Sequence, residues 1–128
     1  MDIRGVGGRV QELGPDGKQR WEITNVQFPT DAIVLPGNRL IVAEQNNNRV
    51  SERDISKKGQ EVWGATFNQP IALQRLQNGN LVVVGRQQIA EWDRDRKAVT
   101  TITRNQYDIV AGAKLRTGEY VAYTQNGQ

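Results

Sequence analysis

The chain has 128 residues, which is enough for one domain, and 37% of them are hydrophobic and 24% charged. It contains no cysteine and no histidine, which excludes disulfides, thiol and Ser-His-Asp catalysis, and an ordinary zinc site. The net charge of +3 predicts a well-solvated surface, and a negatively charged partner is the alternative.

Short strand patterns separated by turn residues follow one another along the chain. Residues 9–23 contain two of them, residues 29–64 and 70–103 contain four each, and residues 109–128 contain two. No window shows a sustained helical period, because Gly, Pro or Asn interrupts each candidate. No apolar run approaches the length of a membrane span, so we expect no membrane partner, while the cellular location stays open.

The strand patterns repeat with a period of 39 to 41 residues. Three sets of equivalent positions give this alignment. The residues that open one strand are Val10, Val50 and Ile89, those that open a second strand are Pro29, Pro70 and Ile109, and those that close the second strand are Leu35, Leu76 and Leu115. Several independent positions that agree on one period indicate a repeat protein.

Each period holds four short strands, which is typical of one blade of a β-propeller. Residues 40–43 and 81–84 are continuously apolar, as expected of inner strands that are covered on both faces. Residues 49–54 alternate and carry charge, as expected farther from the propeller axis. The sequence therefore predicts an all-β fold of antiparallel four-stranded blades, with three blades' worth of strands in the chain.

The blades resemble those of known propeller families. The stretch "FPTDAIVLPGNRLIVAEQNNNRV" is similar to the NHL repeat, and "LQNGNLVVV" adds a similarity to arylsulfotransferase-like propellers. A quinoprotein-type (PQQ-like) blade ending is matched by Gly17, Lys18 and Trp21 and, more loosely, by Gly59 and Trp63. The third copy, "DRDRKAVTTI", lacks the Gly and the Trp. The resemblance implies that ligands bind at the loop-rich face around the central channel.

The two incomplete units complement each other. Residues 9–13 and 18–23 match the third and fourth strands of a blade, and residues 109–115 and 119–124 match its first and second strands. A ring closed within one chain would have three blades, whereas known propellers have about 4 to 8. We therefore predict a homodimer that forms a six-bladed propeller. The alternative is that the chain is a piece of a longer propeller protein.

Loops at one end of the strands carry the candidate binding residues. They connect fourth to first strands at residues 24–31, 65–70 and 104–108, and second to third strands at residues 44–49 and 85–88. Their amides and charges predict a polar ring for a small-molecule or protein ligand. The candidate ligand-binding residues are Gln27, Asp31, Gln45, Asn46, Arg49, Asn68, Arg86, Arg104, Asn105, Tyr107 and Asp108. Alternatively, these Asn and Gln side chains cap strand ends and satisfy loop backbone groups.

The aromatic residues divide into packing and site candidates. Trp21 and Trp63 stand at blade ends and are expected to pack between neighbouring sheets, while the position of Trp92 stays open. Tyr107, at the entrance to the last inner strand, is the best aromatic candidate for the channel mouth. No pair of carboxylates has a spacing that fixes acid/base geometry. We therefore predict no catalytic residue, no metal site and no cofactor.

These observations favour a non-catalytic propeller module for binding or assembly. One alternative is a fragment of a larger quinoprotein- or arylsulfotransferase-like enzyme, although the absence of histidine counts against the latter chemistry. A second alternative is an NHL-like RNA-binding module, which the positive charge supports. Single-stranded RNA is usually read by several aromatic residues interleaved with positive charge. Tyr107 and Phe67 are sparse provision for such contacts, so RNA is the less favoured partner.

Overall fold

A computed structural model describes the backbone of residues 2–4 and all atoms of residues 8–125. These ranges contain thirteen strands in four antiparallel sheets and a short 3₁₀ turn at Ile55–Lys57. Sheet I contains β1 (Asp2–Arg4), β2 (Arg9–Leu13) and β3 (Gln19–Ile23); sheet II contains β4 (Pro29–Leu35), β5 (Arg39–Glu44), β6 (Arg49–Asp54) and β7 (Gln60–Thr66); sheet III contains β8 (Pro70–Arg75), β9 (Leu81–Gly85), β10 (Gln88–Trp92) and β11 (Ala98–Thr103); and sheet IV contains β12 (Ile109–Lys114) and β13 (Tyr120–Thr124). Residues 126–128 of the last predicted unit lie outside the described residues. No helix within the described ranges is long and apolar enough to cross a membrane.

The strands of sheets II and III lie in chain order, each antiparallel to its neighbour. This order confirms the predicted all-β fold class and its four-stranded antiparallel units. The first strands of successive sheets, β4, β8 and β12, lie next to one another. The sheets are therefore arranged side by side around a common axis, with their first strands innermost.

The second strand of each complete sheet is its most buried element. Every residue of β9 is buried, and so is every residue of β5 after Arg39. Alternate side chains of one strand point to opposite faces. Leu40 and Val42 accordingly pack towards sheet I, while Ile41 and Ala43 pack towards sheet III. This two-sided burial explains why these strands are apolar without alternation, as the sequence indicates.

An aromatic cluster joins sheets II and III. The Trp63 and Trp92 rings meet edge to face with their centroids 5.6 Å apart, and the Phe67 ring lies 5.9 Å from Trp92. Trp92 is only 8% exposed and Phe67 only 4%. The packing role predicted for Trp63 is therefore confirmed, and the open position of Trp92 is a buried one. Trp21 packs against the core between sheets I and II, and its indole Nε1 donates to Glu12 Oε2 at 2.8 Å.

Sheet I has three strands, whereas the sequence pattern predicts two. The additional strand β1 pairs with β2 in the register Asp2↔Gln11, Ile3↔Val10 and Arg4↔Arg9. This register matches the pairing of the last three residues of β5 with β6, so β1 stands where a second strand stands in the complete sheets. Three residues are too few to show a period of two, which is why the pattern does not reveal this strand.

Candidate functional site

The loop end of sheets III and IV brings several predicted site residues together. In an antiparallel sheet whose strands follow chain order, the loops between second and third strands emerge at the same end as the loops that lead to the next sheet. The backbone confirms this proximity, because Arg104 N–H donates to Gln87 O at 2.8 Å and Ile109 N–H donates to Arg86 O at 3.0 Å. We call the following six residues the loop cluster: Asn68, Arg86, Gln87, Arg104, Tyr107 and Asp108.

Tyr107 is held in place at both its backbone and its side chain. Its hydroxyl accepts a hydrogen bond from Asn68 Nδ2 at 2.9 Å, and its carbonyl accepts one from Arg86 Nη2 at 2.7 Å. Asn68 Nδ2 also contacts Gln87 Oε1 at 3.4 Å. Despite these bonds, Tyr107 remains 49% exposed. The cluster therefore presents an anchored aromatic ring to solvent.

The charges of the loop cluster are arranged around one buried carboxylate. Arg104 donates to both oxygens of Asp108, from Nε at 2.8 Å and from Nη2 at 2.7 Å. These hydrogen bonds lower the pKa of Asp108 and raise the pKa of Arg104, and the nearby positive charge of Arg86 lowers the pKa of Asp108 further. The side chain of Arg104 is 41% exposed, whereas that of Asp108 is 9% exposed. The two arginines and one aspartate give the cluster one net positive charge.

Three other predicted site residues have structural partners instead. Asp31 Oδ2 accepts a hydrogen bond from Leu73 N–H at 2.8 Å, so this carboxylate links sheet II to sheet III. Arg49 Nη2 forms an ion pair with Glu61 Oε2 at 2.6 Å on its own sheet. The backbone N–H of Gln27 donates to a carboxylate oxygen at 2.6 Å, and that carboxylate belongs to Glu44. The side chains of Asp31 and Arg49 and the backbone N–H of Gln27 thus contact partners outside the loop cluster.

The remaining predicted site residues belong to loops but not to the cluster. Asn46 and Asn105 are exposed, and Gln45 is half-buried.

Sequence reasoning missed Gln87, although it lies in the same short loop as Arg86 and carries the same amide group as its candidate neighbours. The amide of Asn48 supports the cap interpretation of the loop amides, because its Oδ1 accepts from Gln69 N–H at 2.9 Å.

A second polar network, buried between sheets III and IV, was also missed. Glu91 is 3% exposed and accepts hydrogen bonds from Asn80 Nδ2 at 2.8 Å, Lys114 Nζ at 2.7 Å and Tyr120 Oη at 2.6 Å. Burial acts to raise the pKa of Glu91, but these three donors outweigh it and lower the pKa to about 2. The repeat did contain a signal for this network, because a glutamate occurs at the same position of all three third strands. These residues are Glu12, Glu52 and Glu91, which pair with equivalent positions of the fourth strands. The network is enclosed by its own donors and belongs to the packing of the sheets.

A groove of about 530 Å³ opens at the opposite end of sheets III and IV. Its walls are the turns between the first and second strands, at residues 75–78 and 115–118. Gln74 and Lys114 brace the two sheets beside it, because Lys114 N–H donates to Gln74 Oε1 at 2.8 Å and Gln74 Nε2 donates to Lys114 O at 3.0 Å. No set of three or more His, Cys, Asp or Glu residues in the described part of the chain is arranged to hold a metal ion.

The chain was compared with known proteins. No protein-family model matches it, and no curated protein matches it. Among solved structures, hydrazine synthase from Kuenenia stuttgartiensis is 22% identical with a TM-score of 0.71, and the match covers 88% of this chain and 35% of that one. A protein of unknown function from Bacteroides caccae is 14% identical with a TM-score of 0.74, covering 97% of this chain and 50% of that one. BBS1N, solved in complex with ARL6DN, is 20% identical with a TM-score of 0.62, covering 98% of this chain and 44% of that one.

These similarities and the arrangement of the sheets define the class of protein: the chain has a β-propeller fold. At these levels of identity the likeness shows the fold alone. The chain spans half or less of the length of each of these three structures.

Proposed function

We propose that the chain is a non-catalytic β-propeller module that binds a ligand at the loop cluster and completes its ring with a second copy of itself. The observation that carries the binding part is the anchored, half-exposed ring of Tyr107. A buried loop residue needs only packing, but an exposed aromatic ring that is fixed by hydrogen bonds is preorganised for contact. Loops on a rigid sheet scaffold are also where binding residues concentrate.

The chemistry of the cluster limits the ligand that we propose. The ring of Tyr107 offers a flat apolar surface, the exposed guanidinium of Arg104 offers donors, and Gln87 offers an amide. The net positive charge favours a neutral or anionic ligand over a cation. A small molecule or peptide with one apolar face and acceptor groups at its edge fits these features. RNA is supported less, because the burial of Phe67 leaves Tyr107 as the aromatic residue of this cluster.

The binding proposal is tested with a defined set of probes. A thermal-shift screen would use neutral disaccharides, uronic acids and short acidic peptides, and calorimetry would then give the Kd of each probe that raises Tm. We expect Tyr107→Ala to weaken binding of such a probe at least tenfold. Lys57→Ala is the matched control, because Lys57 is exposed in the turn at the opposite end of sheet II. A probe that binds Tyr107→Ala as tightly as the unaltered chain would contradict the proposed site.

The assembly part of the proposal is supported by the exposure of sheet IV. Tyr123 pairs with Ala111 as Ala43 pairs with Asp31 and Val84 with Ala72, so these three residues occupy equivalent positions. Ala43 and Val84 are 0% exposed, whereas Tyr123 is 67% exposed. Exposed apolar surface of this kind indicates an interface. Two copies with three blades' worth of strands each would form a six-bladed ring, within the range of known propellers.

Light scattering on a sizing column, over a dilution series, tests the assembly. We expect a species of twice the chain mass of 14.4 kDa. A folded monomer at every concentration would overturn the homodimer and leave the ligand proposal to be judged by its own experiment.

We also propose that the blades are of the mixed NHL and quinoprotein type indicated by the sequence. Trp21 and Trp63 support this type. Their pairing with the equivalent residues Glu12 and Glu52 puts both at the same position of the fourth strand, and they are the Trp residues of the quinoprotein-type blade ending. In sheet III the residue that pairs with the corresponding Glu91 is Thr100, so the third copy departs from the motif there too.

A further inference from the structure

Strands β1 and β13 occupy equivalent places in their sheets. In each complete sheet, the second strand lies between the first and the third. β13 is the second strand of sheet IV, and β1 stands at the second position of sheet I beside the third strand β2. The second position of sheet I is thus filled by β1, and the second strand of sheet IV has no third strand beside it in the described part of the chain.

β13 has a free edge in the described part of the chain. It pairs with β12 on one side, whereas β5 and β9 are paired on both sides. An exposed strand edge with apolar residues readily pairs with another chain. The edge of β13 fits this description, because Ala122 and Tyr123 are exposed at positions that are fully buried in β5 and β9.

β1 covers only part of the edge of β2. Its three residues pair with Arg9, Val10 and Gln11, and the rest of β2, Glu12 and Leu13, extends beyond it. Leu13 is 42% exposed. In sheet II the corresponding edge of β6 is paired along six residues. A longer strand would therefore complete the edge of β2 better than β1 does.

We infer that β13 of a second copy replaces β1 on the edge of β2 when two chains assemble. This inference rests on the proposed homodimer. The register of β5 with β6 sets the new pairing: Thr124, Tyr123, Ala122, Val121 and Tyr120 of the second copy would lie opposite Arg9, Val10, Gln11, Glu12 and Leu13. Five pairs would replace three, and the edge of β13 would no longer be free.

The second copy is the occupant that the register itself selects. β13 is aligned with β12 as a second strand is aligned with a first strand, and a second strand is what pairs with the edge of β2. β2 in turn is a third strand, and a third strand is what the free edge of β13 lacks. The same exchange at both ends gives a closed arrangement with a two-fold axis, so neither β2 nor β13 keeps a free edge at which a further copy could add. β1 then acts as a substitute strand that protects the edge of β2 in the unassembled chain.

Cysteine pairs can distinguish the two strand arrangements, because the chain has no cysteine of its own. Arg9 lies opposite Arg4 in the single chain and would lie opposite Thr124 of the second copy after exchange. We expect R9C/T124C to form a disulfide-linked dimer on mild oxidation, visible on a non-reducing gel. R4C/R9C is the matched pair, and its disulfide would close within one chain and hold β1 in place, so it should lower the fraction of dimer at least tenfold under the same conditions.

A surface substitution provides the second test. Tyr123→Lys places a charge at a position that is 67% exposed in the single chain, so the variant should fold but should weaken the dimer at least tenfold. Val99→Lys is the control, because Val99 is 56% exposed on β11, the outer edge strand of sheet III, and should leave the mass unchanged.

The possible outcomes separate this inference from the assembly proposal. A dimer that forms the R9C/T124C link and is weakened by Tyr123→Lys supports strand exchange. A stable dimer that shows no such link, and that Tyr123→Lys leaves intact, would overturn strand exchange while leaving the homodimer in place. A monomer at every concentration, without the link, would overturn both.

Discussion

The hydroxyl of Tyr120 donates a hydrogen bond of 2.6 Å to the buried carboxylate of Glu91, across the boundary between sheets III and IV. Lys114, on the same side of the boundary as Tyr120, donates to the same Glu91 oxygen at 2.7 Å. The side chain of Glu91 is 4% exposed and that of Lys114 is 24% exposed, so solvent screens this ion pair little on the glutamate side. Two donors from sheet IV thus depend on one acceptor from sheet III.

Removal of this acceptor should destabilise the chain. Glu91→Ala leaves the donors of Asn80, Lys114 and Tyr120 without their partner, and we expect the free energy of unfolding to fall by about 3 kcal/mol. Tyr120→Phe removes one hydrogen bond and should cost about 1 kcal/mol. Urea denaturation measures both losses. Arg116→Ala, at an exposed residue of the adjacent turn, is the control. A cost for Glu91→Ala no larger than that of the control would contradict the importance of the network.

The same carboxylate should make stability depend on pH. The pKa of Glu91 is lowered from 4.5 to about 2, so the unfolded chain binds its proton more tightly than the folded chain does. The stabilisation is complete above pH 4.5 and is lost as pH falls from there towards 2, with a total of about 3 kcal/mol. The pKa values of Asp54, Asp108 and Glu119 are also lowered and act in the same direction.

Glu91→Gln isolates the contribution of Glu91 to this pH dependence. Urea midpoints of the variant and of the unaltered chain should differ most near neutral pH and should converge as pH approaches 2. Two curves that stay parallel over this range would show that the proton of Glu91 is not linked to folding.

Two glycines with the same backbone conformation allow a test of close packing between sheets I and II. Gly59 has a φ of +83° and Gly17 a φ of +81°, a region that favours glycine. A Cβ at Gly59 would overlap the side chain of Ile23, whereas nothing lies within 4 Å of a Cβ at Gly17. We expect Gly17→Ala to cost about 1 kcal/mol for the backbone alone and Gly59→Ala to cost about 2 kcal/mol more for the overlap. Equal losses in thermal unfolding would mean that the two sheets separate easily at this point.

The repeat predicts most of the fold because the same pattern of strands and turns recurs in the sequence of each blade. The strands of sheets II and III and the packing of Trp63 follow from apolar runs and equivalent positions alone. Trp92 stays ambiguous from sequence, since a residue on an alternating strand faces one of two sides and only the neighbouring sheet decides which side is covered. The sequence does not predict β1, because its three residues are too few to show a strand pattern. They form a strand by pairing with the edge of β2.

The candidate site is predicted less completely, for a related reason. The loop positions identify Tyr107 and its neighbours, since these loops converge at one end of the sheets. They do not reveal which polar side chains are already satisfied. Arg49 and Asp31 are charged loop residues of the kind that binds ligands. Arg49 nevertheless forms an ion pair with Glu61, and Asp31 accepts a hydrogen bond from a backbone N–H of the next sheet. Such partners are distant in sequence, so a local pattern cannot identify them.

Asp31 provides a direct test of this structural role. Its Oδ2 accepts from Leu73 N–H and its Oδ1 accepts from Ala32 N–H, both at 2.8 Å, so Asp31→Ala leaves two backbone donors without this acceptor. We expect a loss of about 2 kcal/mol in the free energy of unfolding. Asp31→Asn keeps one acceptor oxygen and should lose about half as much. Neither variant should change the Kd of a probe that binds at Tyr107. A variant that retains full stability but loses probe binding would instead assign Asp31 to the ligand site.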